Sequence, residues 1–286
     1  MSNRSVESAK IVRVGEDEEE ELRDLVAVEE PLAIRLEYGL EGQRQQRDLS
    51  VTMRTPGHDF ELAQGFLFTE GIIRSARDIK SIRYCQRAKD ASDAENIVRV
   101  NLSPDLPFDW KKLQRNFYTN SSCGVCGKTS IESIQTLCSP VISDSFSVSS
   151  EVIHQAPRAL RKAQLIFEHT GGLHAAGLFS QNGELLLWRE DIGRHNALDK
   201  LMGAALSEFQ LPLSQYFILL SGRISFELVQ KALMAGVPLL AAVGAPSSLA
   251  VQLAQQYGMS LLGFVRNRRF NIYSAPQHVV IPQPSL

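Results

Sequence analysis

Cys123 and Cys126 are the residues best suited to do chemistry in this chain. They lie in SSCGVCGKTS, fenced by glycines and serines, in a sequence with four cysteines. A thiolate is both a nucleophile and a metal ligand, so several chemistries compete. Structural zinc wants four protein ligands; there is no second C-x-x-C, Cys138 follows at an unusual spacing, and Cys85 falls in an expected strand. Zinc-dependent deamination wants an H-x-E segment before its cysteines, and the chain has none. A thioredoxin-like dithiol wants a helix N-terminus after a strand, whereas this glycine- and serine-rich setting reads as a loop. A mobile cysteine can instead carry sulfur as a persulfide. Gly124, Gly127 and Lys128 suit that role, although two cysteines that merely line a turn would look the same.

Other polar residues gather where elements end. EHTGGLHAAG sets His169 and His174 around two glycines, and WREDIGRHNALDK adds Arg189, Glu190, Asp191, Arg194, His195 and Asn196. Strand ends of open α/β sheets are where ligands bind, with Arg194 or His195 on an anion and Asp191 orienting them. The competing reading is a salt-bridged helix start. LSGRISFELVQKA and GAPSSLAVQLA have the shape of strand-to-helix loops, with Ser221, Gly222, Arg223 and Ser225 in one and Gly244, Pro246, Ser247 and Ser248 in the other. Helix N-termini and free amides attract phosphate-like groups, but neither loop is a Walker A or G-x-G-x-x-G motif. FVRNRRF places Arg266, Arg268 and Arg269 behind an apolar strand. They are either solvated charge or forked donors for a phosphate-rich ligand. His58, His154 and His278 read as surface or partly packed residues.

These groups need a scaffold, and 286 residues at 44% hydrophobic content suffice for one large domain or two unequal ones. A net charge of -2 supplies no basic field for nucleic acid. The longest uncharged run, Ala232–Val265, is broken by Pro238 and Pro246 and reads as core elements, so no stable membrane association is expected. With no apolar signal segment at the start, a cytoplasmic location is expected.

Residues 1–25, with the acidic run EDEEEE, read as a flexible solvated tail. Residues 26–115 read as a small α+β domain. Its strands are EEPLAIRLEYG, DLSVTMRT, IKSIRYC and ENIVRVNL, and its helix is capped by Asp59 with Leu62, Ala63, Phe66 and Leu67 on one face. Residues 116–145 form the cysteine loop and linker. Residues 146–286 alternate strands and helices. Pro157 is expected to break or kink the first helix, Asn182–Gly183 marks a hairpin, and Leu198, Leu201, Met202 and Leu206 line an amphipathic helix. The YFILLSG, VPLLAAVG and LLGFVR strands with intervening helices imply a mixed or mostly parallel sheet covered by helices.

Taken in order, EEPLAIRLEYG, TMRTPGHDFELAQGFLFTEGII, SSCGVCGKTS, HTGGLHAAGLF, REDIGRHNALDKLMG, SGRISFELVQKALMAGVPLLAAVGAPSSLAVQLA and GFVRNRRFNIY resemble the formate dehydrogenase accessory sulfurtransferase family, FdhD, over roughly residues 29–275. The resemblance implies an α/β fold whose layered mixed-sheet core is like that of cytidine deaminase, with a smaller N-terminal α+β domain. It implies a sulfurtransferase that takes sulfur from a cysteine desulfurase as a persulfide. The acceptor would be the molybdenum bis(molybdopterin guanine dinucleotide) cofactor bound for formate dehydrogenase, with no integral metal. By the same resemblance Cys123 carries the persulfide and Cys126 is the second cysteine of the loop. Phe264, Val265, Arg266, Asn267, Arg268 and Arg269 bind the cofactor, and the assembly is a homodimer. The alternative function is a noncatalytic chaperone that delivers the cofactor to formate dehydrogenase.

Overall fold

A computed structural model describes residues 5–16, 18–85, 95–107, 110, 142 and 145–282. Cys123, Cys126 and Cys138 lie outside the described residues.

Where a solvated tail is expected, the chain forms an antiparallel hairpin, β1 (Val6–Val14) and β2 (Glu19–Ala27). Its apolar residues alternate with charged ones, and Ile11 faces Leu22 across the pair. The glutamates fall in and after the turn, where water solvates them, and so their charge hides the β-branched pattern. Ser5 fastens the base of the hairpin, accepting the Val28 amide at 3.0 Å and donating its hydroxyl to the Pro56 carbonyl at 2.8 Å.

β3 (Glu30–Tyr38) and β4 (Gln45–Arg54) pair antiparallel, and with β5 (Ile79–Tyr84) and β6 (Ile97–Leu102) make a four-stranded sheet ordered β4-β3-β6-β5. Leu32, Ile34 and Leu36 point inward at period two, as their spacing predicts. α1 (Asp59–Thr69) follows, but its cap is His58 rather than Asp59. Asp59 turns inward instead, pairing bidentately with the buried Arg54 at 3.1 Å. Glu30 adds a second carboxylate to that guanidinium at 3.1 Å.

The second half holds a six-stranded mixed sheet ordered β13-β12-β11-β10-β8-β9. Its strands are β8 (His174–Ser180), β9 (Leu185–Asp191), β10 (Tyr216–Leu220), β11 (Leu239–Ala242), β12 (Ser260–Arg266) and β13 (Arg269–Ser274). β10, β11 and β12 run parallel, and the other pairings are antiparallel. A short parallel pair, β7 (Val148–Ser149) with β14 (Val279–Val280), lies apart from it. On β10, Phe217 and Leu219 join one hydrophobic cluster while Ile218 and Leu220 join the other, so the strand is apolar throughout because both faces are covered.

α2 (Ser150–Ala163) covers one face and keeps Pro157 inside a continuous helix. The break comes instead at Gln164, before α3 (Leu165–Thr170). Ile153, Ala156 and Leu160 bury against the sheet, and this packing offsets the roughly 3 kcal/mol that an interior proline costs. α4 (Arg194–Glu208), α5 (Phe226–Met234) and α6 (Ser248–Gln256) contribute to the cluster on the other face. α4 is buried almost all round from Asn196 to Ala205, beyond the single apolar face expected, because α1 packs on it from outside. The two helices meet at glycines: a Cβ on Gly65 would stand 1.8 Å from the Asp199 carbonyl, and one on Gly203 1.9 Å from that of Glu61. The same hydrophobic cluster continues through α1 to Leu32, Ile34, Val98 and Val100 of the four-stranded sheet.

Candidate functional site

β10, β11 and β12 end at one edge of the six-stranded sheet, where β8 begins and β9 ends, since His174 pairs with Asp191 and Ala176 with Leu220. The loops leaving β10 and β11 run side by side there. The Gly244 amide donates to the Gly222 carbonyl at 3.0 Å, the Ile224 amide to that of Ala245 at 3.0 Å, and the Ser247 amide to that of Ile224 at 2.9 Å. Phe264 continues the row, its amide donating to the Gly244 carbonyl at 3.0 Å. Glycine is required at one crossing point, Gly244, and space is tight at the other, Gly222. A Cβ on Gly244 would lie 2.7 Å from the Gly222 carbonyl, and one on Gly222 3.0 Å from His174 Nδ1. Close contacts thus run from Phe264 through Gly244 and Gly222 to His174.

α5 and α6 start at this edge. Ser247 caps α6, its hydroxyl accepting the Ala250 amide at 3.3 Å. Ser225 occupies the cap position of α5 without capping it. Its hydroxyl lies 3.1 Å from His195 Nε2, which is also 2.9 Å from a Glu227 carboxylate oxygen. Both contacts fall on one ring nitrogen. A nucleophile–base–acid relay needs both ring nitrogens, one for the hydroxyl and one for the carboxylate, so the trio positions His195 and does not make Ser225 a nucleophile. The His195 hydrogen bond also holds the Glu227 carboxyl below its ordinary range.

His174 is half-buried, and burial lowers its imidazole pKa. Arg194 and Arg223 push the same way, Asp191 pulls back, and His195 adds to the depression. The proton affinity of the imidazole is therefore depressed, first by burial and then by the two guanidiniums.

Arg189, Glu190, Asp191 and Asn196 of REDIGRHN are structural. Asp191 is fully buried: one carboxylate oxygen lies 2.7 Å from Lys200 Nζ and accepts the Thr55 amide at 3.2 Å, while the other accepts the Gly193 amide at 2.8 Å and Asn196 Nδ2 at 3.0 Å. Lys200 in turn donates to the Thr55 carbonyl at 2.8 Å. Arg189 reaches back to Glu61 on α1, and Glu190 accepts the Ile166 and Phe167 amides of α3. The orienting role expected of Asp191 is thus directed at the protein's own backbone, and the salt-bridge reading describes Arg189.

The arginine-rich stretch forms the β12–β13 hairpin. Arg266 pairs with Arg269 across a two-residue turn, and Asn267 and Arg268 both have φ of 53°. That left-handed geometry matches the strand twist but costs a non-glycine residue about 1 kcal/mol. Phe264 is also left-handed, at φ 56°, inside a β-bulge. Val265 is fully buried and offers a ligand only its backbone, while Arg266, Arg268 and Arg269 are exposed. Arg268 pairs with Glu151 at 3.0 Å, and the Arg266 guanidinium lies 5.7 Å from the Phe264 ring centroid.

His169 is exposed at the end of α3 and does not join the edge. His278, expected to be a surface or partly packed residue, is fully buried with Nδ1 2.8 Å from the Ser260 hydroxyl. Cys85 is buried, with its sulfur 3.8 Å from an Arg99 nitrogen. Among the described residues, no group of three or more His, Cys, Asp or Glu side chains is placed to hold a metal ion. Among them, too, no helix is long and apolar enough to cross a membrane.

Sequence reasoning missed a second polar assembly. Lys231, fully enclosed, donates to Asp199 at 2.9 and 3.0 Å and to Thr69 at 2.9 Å, beside Glu70, whose carboxyl burial pushes upward. Glu70, Lys231, His195 and Glu227 line a cavity of about 280 Å³ between β4, α1, α4 and α5. A usable signal was available: Asp199–Lys200 sits between Leu198 and Leu201, and Lys231 stands in VQKALM, charged residues inside apolar helix runs.

Comparisons with known proteins agree with this picture. The FdhD/NarQ family model matches residues 27–280. The sulfur carrier protein FdhD of Streptomyces coelicolor is 46% identical over 281 residues, covering 97% of each chain. That of Mycolicibacterium paratuberculosis is 48% identical over 259 residues, covering 90% of this chain and 92% of the relative. A crystal structure from Desulfotalea psychrophila, provisionally assigned as a formate dehydrogenase accessory protein, shares the fold with a TM-score of 0.70 at 24% identity, over 96% of this chain and 99% of that one. A family match that runs from β2 to β14 and takes in the cysteine pair, the edge loops and the arginine hairpin leads to one assignment: the chain belongs to the FdhD/NarQ family.

Proposed function

We propose that this protein is a sulfurtransferase of formate dehydrogenase maturation, carrying sulfur as a persulfide on Cys123 from a cysteine desulfurase to the molybdenum bis(molybdopterin guanine dinucleotide) cofactor. The observation that carries this reading is the family match over residues 27–280, which includes Cys123-Gly-Val-Cys126, with relatives named as sulfur carriers. In the loading step the Cys123 thiolate attacks the terminal sulfur of the desulfurase persulfide. The sulfur–sulfur bond there breaks, the desulfurase cysteine leaves as a thiolate, and a new bond forms on Cys123; no outside oxidant is needed. Unloading has two balanced routes. The acceptor can take the terminal sulfur directly, supplying the electron pair of the new bond and being oxidised by two electrons as the sulfur–sulfur bond breaks and the Cys123 thiolate leaves. Alternatively, the Cys126 thiolate displaces hydrosulfide, leaving a Cys123–Cys126 disulfide that a thiol reductant must reopen.

The cofactor is the substrate in this scheme. Phe264 to Arg269 would bind it, with Arg266 and Arg269 offering exposed guanidiniums, Val265 its backbone only, and Arg268 able to leave its surface pair with Glu151. Surface pairs of that kind are worth at most about 1 kcal/mol. A cytoplasmic homodimer that docks the desulfurase and formate dehydrogenase, with a core of the cytidine deaminase type and the domain division 26–115 and 146–286, completes the proposal.

Intact-mass analysis after incubation with a cysteine desulfurase and cysteine tests it. A sulfur adduct mapped to Cys123, absent in Cys123→Ala and retained in Cys126→Ala, is the expected result. Persulfide transfer by Cys123→Ala at the wild-type level would rule the assignment out. Full maturation by a variant lacking both cysteines would instead establish a noncatalytic delivery chaperone.

A further inference from the structure

The face beside the arginine hairpin is strongly basic, although the chain as a whole carries a net charge of -2. α2 buries Ile153, Ala156 and Leu160 against the sheet, and its period turns Gln155, Arg158 and Lys162 to the exposed side. Arg161 is exposed next to them, its guanidinium 3.8 Å from the centroid of the Phe167 ring. Two contacts join this helix to the hairpin. Arg268 pairs with Glu151 at 3.0 Å, and the His154 ring lies 5.2 Å from that of Phe270 on β13. Basic side chains therefore continue from Arg266, Arg268 and Arg269 along α2 to Lys162, roughly 16 Å from Glu151 along the helix. Glu151 is the one carboxylate in α2, β12 or β13, and Arg268 holds it. Arg158 and Lys162 form no ion pair among the described residues. They stand four residues apart, a like-charge spacing that weakens a helix. The helix dipole favours Arg161 and Lys162 in the last turn, but it accounts for neither Arg158 nor the hairpin.

We propose that the basic strip running from the hairpin to Lys162 docks an acidic surface of the protein that receives the cofactor. The inference rests on the function proposed above and assigns a face to one of its partners. A cofactor held at Phe264 to Arg269 must leave across neighbouring surface, and α2 receives the tip of that hairpin through Glu151. Continuity with the hairpin thus selects the receiving protein as the occupant, and the sign of the strip sets the charge of its partner surface. Cations fixed along a helix attract such a surface over about a Debye length, ~8 Å at physiological salt, and orient its approach. Leu165, 62% exposed at the start of α3 just beyond Lys162, adds an apolar contact at the far end. Arg268 can exchange its exposed Glu151 partner for a carboxylate of the docked protein at little cost. Charges at the rim of an interface act mainly on the association rate, so the strip governs how fast the two proteins meet.

Association kinetics of the full-length protein with cofactor-free formate dehydrogenase, measured over a range of salt concentrations, test the proposal. Arg158→Glu/Lys162→Glu is expected to lower the association rate about tenfold at low salt and to flatten its salt dependence, with little change in dissociation. Arg158→Lys/Lys162→Arg keeps both charges and should keep the wild-type rate. Both positions are exposed, and circular dichroism checks that the variants are folded. Absence of association by wild type, or a wild-type rate and salt dependence for the folded double-glutamate variant, overturns the docking face. A cysteine desulfurase serves as the second partner. A rate loss confined to the desulfurase would make the strip the sulfur donor's surface, and an equal loss toward both proteins would make it unselective; either overturns the assignment. Persulfide loading on Cys123 is read separately by mass. Failure of the docking face therefore leaves the sulfur-carrier proposal intact, and a failure of loading leaves the association rates interpretable.

Discussion

At the scale of single residues, the candidate site depends on charges that never reach solvent. Asp191 and Lys200 are essentially inaccessible and 2.7 Å apart, and they fix Thr55, Gly193 and Asn196 around them. Removing one partner strands the other without water or counter-charge. Asp191→Asn and Lys200→Met should each lower stability by about 3–5 kcal/mol. The double variant should lose much less than the sum, because neither charge is then left alone. Urea unfolding of the wild type and the three variants measures this, and strict additivity would show that the pair is not coupled. The sequence offered two readings of this cluster, an anion site with Asp191 in an orienting role or a salt-bridged helix start. Nothing near Asp191 announces that its partners include Thr55, 136 residues away in the chain.

At the scale of elements, the contact between α1 and α4 decides how the first sheet is joined to the second. Gly65 and Gly203 let the two backbones touch, and a methyl group at either would fall within 2 Å of a carbonyl oxygen. Gly65→Ala and Gly203→Ala should therefore destabilise toward the upper end of the roughly 1–3 kcal/mol typical of overpacking. Gly258 provides the contrast. It is left-handed at φ 67° but has open space around it, so Gly258→Ala should cost only the backbone strain of about 1 kcal/mol. Equal melting-temperature losses for Gly65→Ala and Gly258→Ala would contradict the packing argument. Element types were largely readable in advance. Leu32, Ile34 and Leu36 alternate as a strand, and Gly183, at φ 86°, turns the β8–β9 hairpin as Asn-Gly predicts. Where local rules misled, tertiary burial or hidden alternation explains it: Pro157 stays helical under the packing of α2, and the acidic run conceals the alternation of β1 and β2.

At the scale of the whole molecule, pH should loosen the union of its halves. Burial pushes the Glu61 carboxyl up, but hydrogen bonds from Arg189 and His58 outweigh it and bring the pKa down to about 2. A folded-state pKa below the unfolded one stabilises the protein above the unfolded value, and that stability is lost as pH falls through the folded value. The contribution of this α1–β9 bridge should therefore fade between about pH 4.5 and 2. Urea midpoints of wild type and Glu61→Gln across that range should converge as the pH drops, and a constant gap between them would exclude Glu61 as the source.

The amino-acid order alone marked out most of the strands and helices, the family that the motifs resemble, and the pair Cys123 and Cys126 as the candidates for sulfur chemistry. Those properties depend on neighbours a few positions apart, where side-chain period and turn geometry are written directly. Tertiary structure alone decided that Arg189 and Asp191 serve the scaffold, while the start of β8 at His174 and the loop after β10 with Arg223, 49 residues apart in number, meet at one end of the sheet. The physical reason is that a charge's role depends on whether folding brings it a counter-charge. Closure of the chain supplies one to Lys200 and to Lys231, and so both are held inside the fold.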